Sequence, residues 1–318
     1  MNKCILFAGE ASQKMGKSIP LLDERIIEGQ VEHKKFPSGE WYCQLKNNIR
    51  GADVYLLNAI TTPANDSLMQ LLVMADAARR SSAGRLTAII PYMGYSRQDR
   101  KDKSRVPISA KLVMDLIQAA GFDRVVTMDL HAPQIAGFTN LPFDHLQFRP
   151  SLLTQIQRSG LKIDVVVAPD MGSVKRSEEY ARFLETDIAI ISKKRNNETS
   201  VEMQSFIGNV RGKNVLIVDD LTESAGTLVE AGKACKAKGA KKIFTAVTHG
   251  CYTDVGIKRL TEAFADGSIT HMFESSTVET CPYPETFNGK LTRVDVAPVF
   301  AKAIHAIHND ESVSSLFI

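Results

Sequence analysis

Short apolar runs recur along the chain, and between several of them apolar residues come at helical spacing. Residues 4–8, 54–57, 86–90, 125–128, 165–168, 188–191, 215–218 and 243–247 have the length and composition of strands covered on both faces. Residues 67–80, 109–120 and 228–238 gather their apolar positions on one side of a helix. This alternation predicts parallel sheets with helices on their faces. The pattern also repeats. Arg50-Gly51-Ala52-Asp53-Val54 recurs about 160 residues later as Arg211-Gly212-Lys213-Asn214-Val215, with a strand and a helix after each copy. Ala83-Gly84-Arg85-Leu86 is then answered by Ala240-Lys241-Lys242-Ile243. One βαβ unit met twice predicts two copies of one domain, with a generic α/β pattern as the alternative.

Composition narrows the class. The chain has 318 residues, 44% hydrophobic, enough for a sizeable core and two domains of ordinary size. A net charge of +3 gives no case for nucleic acid. Cys4, Cys43, Cys235, Cys251 and Cys281 are widely spaced, without a CxxC pair, so reduced thiols are expected rather than a disulfide framework or zinc cluster. No apolar stretch approaches a membrane span or a signal h-region, which leaves a soluble, cytoplasmic protein as the expectation.

The chemistry centres on residues 215–227, VLIVDDLTESAGT. A buried strand leads into Asp219 and Asp220, and then into Glu223, Ser224, Ala225, Gly226 and Thr227. These are small or polar residues that let backbone N–H groups form an anion nest at a helix expected to begin near Leu228. Two adjacent carboxylates repel phosphate, so they should meet ribose hydroxyls or magnesium, and the whole reads as a sugar-phosphate site. An acidic strand end before a capped helix is the plainer alternative. In the first copy Asn58 and Ala59 occupy the positions of Asp219 and Asp220, so one such site per chain is expected.

Other clusters follow strand ends. Residues 94–105, GYSRQDRKDKSR, form a basic loop, either solvated or a lid over polyphosphate in which Arg97 and Arg100 are forked donors. Asp129 and His131, two apart after a strand, could converge on one cation if that segment is extended; a turn or cap is the alternative. Asp170, Met171, Gly172, Ser173 and Lys175 read as a second phosphate loop. Lys193, Lys194 and Arg195 end another strand, either as a solvated exit or with Lys193 and Arg195 reaching one transferring group. No GxGxxG or Walker motif is present.

In this order the segments resemble the ribose-phosphate diphosphokinase family nearly end to end. The resemblance is carried by FPSGE (36–40), NDSLMQLLVMADAARR (65–80), IIPYMGYSRQDRKDKSRVPISAKLV (89–113), DLHAPQIAGF (129–138), APDMGSVKR (168–176), VDDLTESAGT (218–227), THG (248–250) and HNDESVSSLF (308–317). It implies an α/β fold of two stacked copies of a type I phosphoribosyltransferase-like domain with parallel-sheet cores. The domains would span residues 1–147 and 148–318, with the last turn of the chain free to return to the first. The implied reaction transfers the β,γ-diphosphoryl group of ATP to the anomeric hydroxyl of ribose 5-phosphate, releases AMP and needs Mg2+.

Carried over by position, the resemblance makes Lys193 and Arg195 catalytic. It assigns ATP to Phe36, Ser38, Gly39, Glu40, Arg97, Gln98, Asp99 and Arg100, and ribose 5-phosphate to Asp219, Asp220 and 223–227. Asp170 to Ser173 with Lys175 would be the diphosphate loop, and Asp129, His131 and Asp170 would hold or orient the metal. Arg50, Ser82, Ser312, Ser314 and Phe317 resemble the site at which phosphate and ADP act as effectors. A homo-oligomer, by resemblance a hexamer built of dimers, is implied, because the family's adenine clamp is lent by a neighbouring subunit. The sequence departs from the family at Ser38, where an acid is usual, at Glu223 and Ser224, where Asp and Thr are usual, and at Asn48 and Asn140. A non-catalytic regulatory paralogue and a phosphoribosyltransferase that consumes the diphosphate are the other readings.

Overall fold

The apolar run at the start of the chain is a strand, β1 (Cys4–Ala8), in a computed structural model that describes residues 3–194, 203–279 and 283–317. Next come α1 (Gln13–Leu22), β2 (Ile26–Glu28) and a hairpin of β3 (Val31–Lys35) and β4 (Trp41–Leu45). β5 (Asp53–Leu57), α2 (Ala64–Arg80), β6 (Arg85–Ile90), α3 (Ser109–Ala119), β7 (Arg124–Met128) and β8 (Phe143–Leu146) complete this part. Six strands form one sheet in the order β2-β1-β5-β6-β7-β8, each pair parallel. The hairpin is a separate two-stranded sheet. All five residues of β5 are buried, as expected of a central strand covered on both faces. α2 brings Leu71, Met74, Ala75 and Ala78 to that sheet at helical spacing, and all four are fully buried. Each large side chain of this kind stabilises the fold by about 1.5–3 kcal/mol.

The second part contains α4 (Arg149–Arg158), β9 (Val165–Ala168), α5 (Val174–Leu184), β10 (Asp187–Lys194), β11 (Met203–Ile207) and β12 (Asn214–Thr222). α6 (Gly226–Ala237), β13 (Lys242–Gly250), α7 (Asp254–Asp266), β14 (His271–Ser275), β15 (Leu291–Val294) and α8 (Ala297–His308) follow. Its sheet runs β11-β10-β9-β12-β13-β14-β15, parallel except for the antiparallel edge strand β11. The two sheets share one connectivity. β1-α1-β2 corresponds to β9-α5-β10, and β5-α2-β6-α3-β7 to β12-α6-β13-α7-β14. The sequence repeat is therefore a repeat of topology.

The chain divides into two units. The first holds residues up to Phe148 together with Ser276–Glu279 and the chain from Asp295 onward; the second holds Arg149–Ser275 and the segment ending at Val294. α8 belongs to the first unit and packs on α1. Its end is fastened through Asp53, which accepts from Arg85 Nε and Nη2 at 2.9 and 2.6 Å and from the Tyr55 hydroxyl at 2.8 Å, and lies 2.8 Å from His308 Nδ1. Burial pushes that carboxyl up, but these partners hold it below the usual carboxylate range. Among the described residues no helix is long and apolar enough to cross a membrane. The thiols of Cys4 and Cys235 are buried and pushed up to about 12, so neither is reactive near neutrality.

Two strands outrun the apolar runs that signalled them. β12 continues through Asp219 and Asp220 to Thr222, because β13 goes on offering partners, with Thr222 opposite Gly250. β10 continues to Lys194, which pairs with Met203 of β11. Backbone pairing, rather than side-chain hydrophobicity, sets both ends.

Candidate functional site

The acid pair therefore sits inside an ordered strand. Asp220 is buried, and Asp219 is half-buried with its Oδ1 accepting the Asp220 N–H at 2.9 Å. Arg176, in the first turns of α5, bridges the pair: its Nη1 is 3.1 Å from Asp220 Oδ1 and 3.4 Å from Asp219 Oδ1. Burial, and then the neighbouring Asp220 carboxylate, hold the Asp219 carboxyl well above the usual carboxylate range, against the pull of Arg176. Two acids sharing one guanidinium in low dielectric invite a further donor or cation.

The loop after the acids turns into α6 through Ala225, whose φ of 55° is left-handed. α6 starts at Gly226, two residues before the expected Leu228, and has no side-chain cap. Its leading N–H groups lack intrahelical acceptors, and the helix dipole adds positive potential there, so an anion is favoured at this end. The outer side of the loop is held by the segment entering α7. Thr253 N–H donates to Glu223 O at 3.1 Å, and Arg259 Nη1 donates to Ser224 O at 3.2 Å.

Asp170 to Ser173 close on themselves ahead of α5. Ser173 N–H donates to Asp170 Oδ1 at 2.9 Å, and the Ser173 hydroxyl donates to Asp170 O at 2.9 Å. Met171, Gly172 and Lys175 are exposed around this turn. Because β10, β9 and β12 are adjacent and parallel, their carboxyl ends share one edge, the usual ligand edge of such sheets. The structure thus gathers Asp219, Asp220, the loop 223–227 and the loop 170–175 at that edge, with the backbone of Lys193 at the end of β10. Arg195 lies outside the described residues.

In the first unit, the turn of the β3–β4 hairpin carries Phe36, Ser38, Gly39 and Glu40. Phe36 is 40% exposed, the Ser38 hydroxyl donates to Glu40 Oε2 at 2.6 Å, and Gly39 has a φ of 94° that favours glycine. The basic loop follows β6 and is irregular, as expected. Arg97, Gln98 and Arg100 are exposed, and Gln134 Nε2 donates to Asp99 Oδ2 at 2.7 Å. Asp129 follows β7 with a φ of 40°, so the extended backbone that would aim Asp129 and His131 the same way is absent. Asp129 Oδ2 instead accepts the Phe148 N–H at 3.3 Å. Among the described residues no group of three or more His, Cys, Asp or Glu stands ready for a metal. Arg50 and Ser82 lie together on loops entering β5 and β6, with Gly51 N–H donating to Ser82 O at 2.8 Å, at the edge opposite the basic loop. Ser312 and Ser314 are exposed, and Phe317 ends the turn Val313–Phe317.

The profile of the N-terminal domain of ribose phosphate pyrophosphokinase matches residues 4–121, and that of the phosphoribosyl transferase domain matches residues 150–275. The ribose-phosphate pyrophosphokinase of Rhodopirellula baltica is 43% identical over 325 residues, covering 100% of this chain and 99% of that protein. The chain belongs to the ribose-phosphate pyrophosphokinase family. The Haemophilus influenzae member is 41% identical over 98% of each chain. A crystal structure of phosphoribosylpyrophosphate synthetase from Mycobacterium smegmatis superposes with a TM-score of 0.87 at 33% identity, over 97% of this chain and 100% of that one.

Within this family setting, three contacts escaped the sequence reading. Arg176 reaches the acids only because β9 and β12 are neighbours, an adjacency that crosses 46 intervening residues between Ala168 and Val215. Thr253 and Arg259 reach the loop from a helix that no motif marked. No local signal marks any of the three, because each contact joins elements that only sheet order and helix packing bring together.

Proposed function

We propose that the chain transfers the β,γ-diphosphoryl group of ATP to O1 of ribose 5-phosphate, giving phosphoribosyl diphosphate and AMP. The observation that carries this is the edge where the acid pair of half-buried Asp219 and buried Asp220 stands beside an uncapped helix N-terminus, in a chain whose relatives of this family align over its whole length. Asp219 and Asp220 take the ribose hydroxyls, and 223–227 take the 5-phosphate. Asp170 to Ser173 and Lys175 bind the diphosphate. Phe36, Ser38, Gly39 and Glu40 hold adenine, while Arg97, Gln98, Asp99 and Arg100 hold the triphosphate. O1 attacks the β-phosphorus; the O1–P bond forms as the bridge to the α-phosphate breaks, and the hydroxyl proton leaves to solvent. Charge spreads over the equatorial oxygens, so Lys193 and Arg195 act as cations, and no nucleophilic side chain is required.

Magnesium fits this donor set. It binds mainly through phosphate oxygens and water with one or two carboxylates, so a preformed cage is unnecessary. Asp129, His131 and Asp170 would hold or orient it, and when bound it would neutralise charge on the triphosphate. We further propose a cytoplasmic homo-oligomer, a hexamer built of dimers, in which the hairpin turn serves a neighbouring subunit. Arg50, Ser82, Ser312, Ser314 and Phe317 form the effector site for phosphate and ADP. Incubating the protein with Mg2+, ribose 5-phosphate and each nucleoside triphosphate tests the reaction: AMP release that requires the sugar is expected, and no monophosphate from any donor overturns it.

A further inference from the structure

The loop 223–225 is gripped by the segment entering α7, and the grip sets which way its N–H groups face. Thr253 donates to Glu223 O twice, from its N–H at 3.1 Å and its hydroxyl at 3.4 Å. Arg259 Nη1 donates to Ser224 O at 3.2 Å. In a planar trans peptide the C=O and the following N–H point in opposite directions. Holding these two successive carbonyls therefore turns the N–H groups of Ser224 and Ala225 away from α7. The next residues carry the sense onward, Ala225 left-handed and Gly226 helical, which is the alternation that makes an anion nest.

The grip is built closely. A Cβ on Gly256 would stand 2.0 Å from Glu223 O, so only glycine lets the first turn of α7 approach the loop. Thr253 is the N-cap of α7, accepting the Gly256 N–H at 3.3 Å, so the group that starts the helix also holds the loop. Arg259 is exposed and lies beside the loop rather than in a core, so packing does not account for its place.

We infer that Thr253 and Arg259 are positioning residues that preorganise the 5-phosphate nest, acting on the sugar through backbone carbonyls without touching it. The inference rests on the reading of 219–227 as the ribose 5-phosphate site. A preformed nest spares the ordering of this loop on binding, so losing the grip weakens sugar binding and leaves the nucleotide untouched.

Steady-state kinetics with both substrates, on Arg259→Gln, Arg259→Lys, Thr253→Val and Thr253→Ser, decides it, with Asp220→Asn as the control. Arg259→Gln should raise KM for ribose 5-phosphate about tenfold, the worth of one charge-assisted hydrogen bond, and Thr253→Val, which loses the hydroxyl bond but keeps the backbone N–H bond to Glu223 O, should raise it about threefold. KM for ATP should stay unchanged for both, and the melting temperature should hold for Arg259→Gln and fall by about 2–4 °C for Thr253→Val, which also loses the cap of α7. Arg259→Lys and Thr253→Ser, which keep a donor, should recover most of the loss. If Asp220→Asn raises KM for the sugar while Arg259→Gln and Thr253→Val do not, the positioning role is wrong and the sugar site stands. If both substrates' KM values rise together with a fall in melting temperature, the two residues are merely structural and the inference is overturned. If Asp220→Asn leaves KM for the sugar unchanged, the sugar-site reading falls and takes this inference with it.

Discussion

The loops after β5 and after β12 occupy the same place in two sheets of one topology, yet they are built to opposite ends. After β5 the polar residue is Asn58, fully buried and spent on the fold. Its Nδ2 donates to Ser67 O at 2.8 Å, and its Oδ1 accepts the Ala11 N–H at 3.2 Å. After the matching stretch of β12 the residues are Asp219 and Asp220, paired to each other and to one arginine. A single residue helps to separate the two. Asn58 N–H donates to Ile89 O at 3.0 Å, and residue 91 would supply the next donor of the ladder, but Pro91 has none, so β5 stops at Leu57. β13 carries no such break, and β12 runs on past Asp219, opposite Val247, to Thr222, opposite Gly250. A loop whose polar groups satisfy one another is closed to ligand; one that concentrates like charge stays open to it.

The comparison can be broken at its strongest point by Asp220→Ala. This should lower kcat/KM for ribose 5-phosphate at least about a hundredfold, with little change in melting temperature. A variant as active as the parent would make the two loops equivalent. Next in size, Asn58→Asp should destabilise by about 2–3 kcal/mol, because the new carboxylate faces the Ser67 carbonyl and Gln70 Oε1, which now receive a proton donor. Thermal unfolding would show the loss, and KM for the sugar should not move.

Asp219→Asn sharpens the contrast through pH. A carboxyl whose folded value lies above its unfolded one favours folding below the unfolded value, and that contribution is lost as pH rises through the folded value. The parent should therefore lose stability as pH climbs out of the ordinary carboxylate range. Asp219→Asn should flatten that slope and melt about 2–4 °C higher at neutral pH while binding the sugar less well. Melting curves across pH for both proteins measure it, and parallel curves would contradict the buried-acid account. The smallest effect belongs to Ala225→Gly. It relieves a left-handed alanine at the cost of unfolded-chain entropy, for a net change within about 1 kcal/mol, whereas a β-branched Val there should cost more.

Much of this molecule was legible because its signals are local. The central strands lie where four or more apolar residues run together, and 165–168 was read to the residue as β9. The sugar loop could be seen because its acids, small residues and helix start are contiguous. α7 and α8 gave no such signal. β2 has three residues, β3 (VEHKK) is polar after its first residue, and β4 (WYCQL) is mostly exposed or half-buried with only three apolar residues in succession, so none of them makes a long apolar run. Asp129 looked as though it continued a strand until its left-handed backbone turned it aside.

The order of residues by itself determined a duplicated α/β chain of this family and the cluster of acids before a helix, since spacing along one strand or turn is a property of the backbone. The tertiary structure alone decided that β9 lies beside β12 and so brings Arg176 to Asp219 and Asp220. It also decided that α7 holds the carbonyls of 223 and 224, and that α8 joins the first unit. Those contacts join residues tens to hundreds of positions apart, and sheet order and helix packing, which obey burial and hydrogen bonding rather than proximity in the chain, are what bring them together.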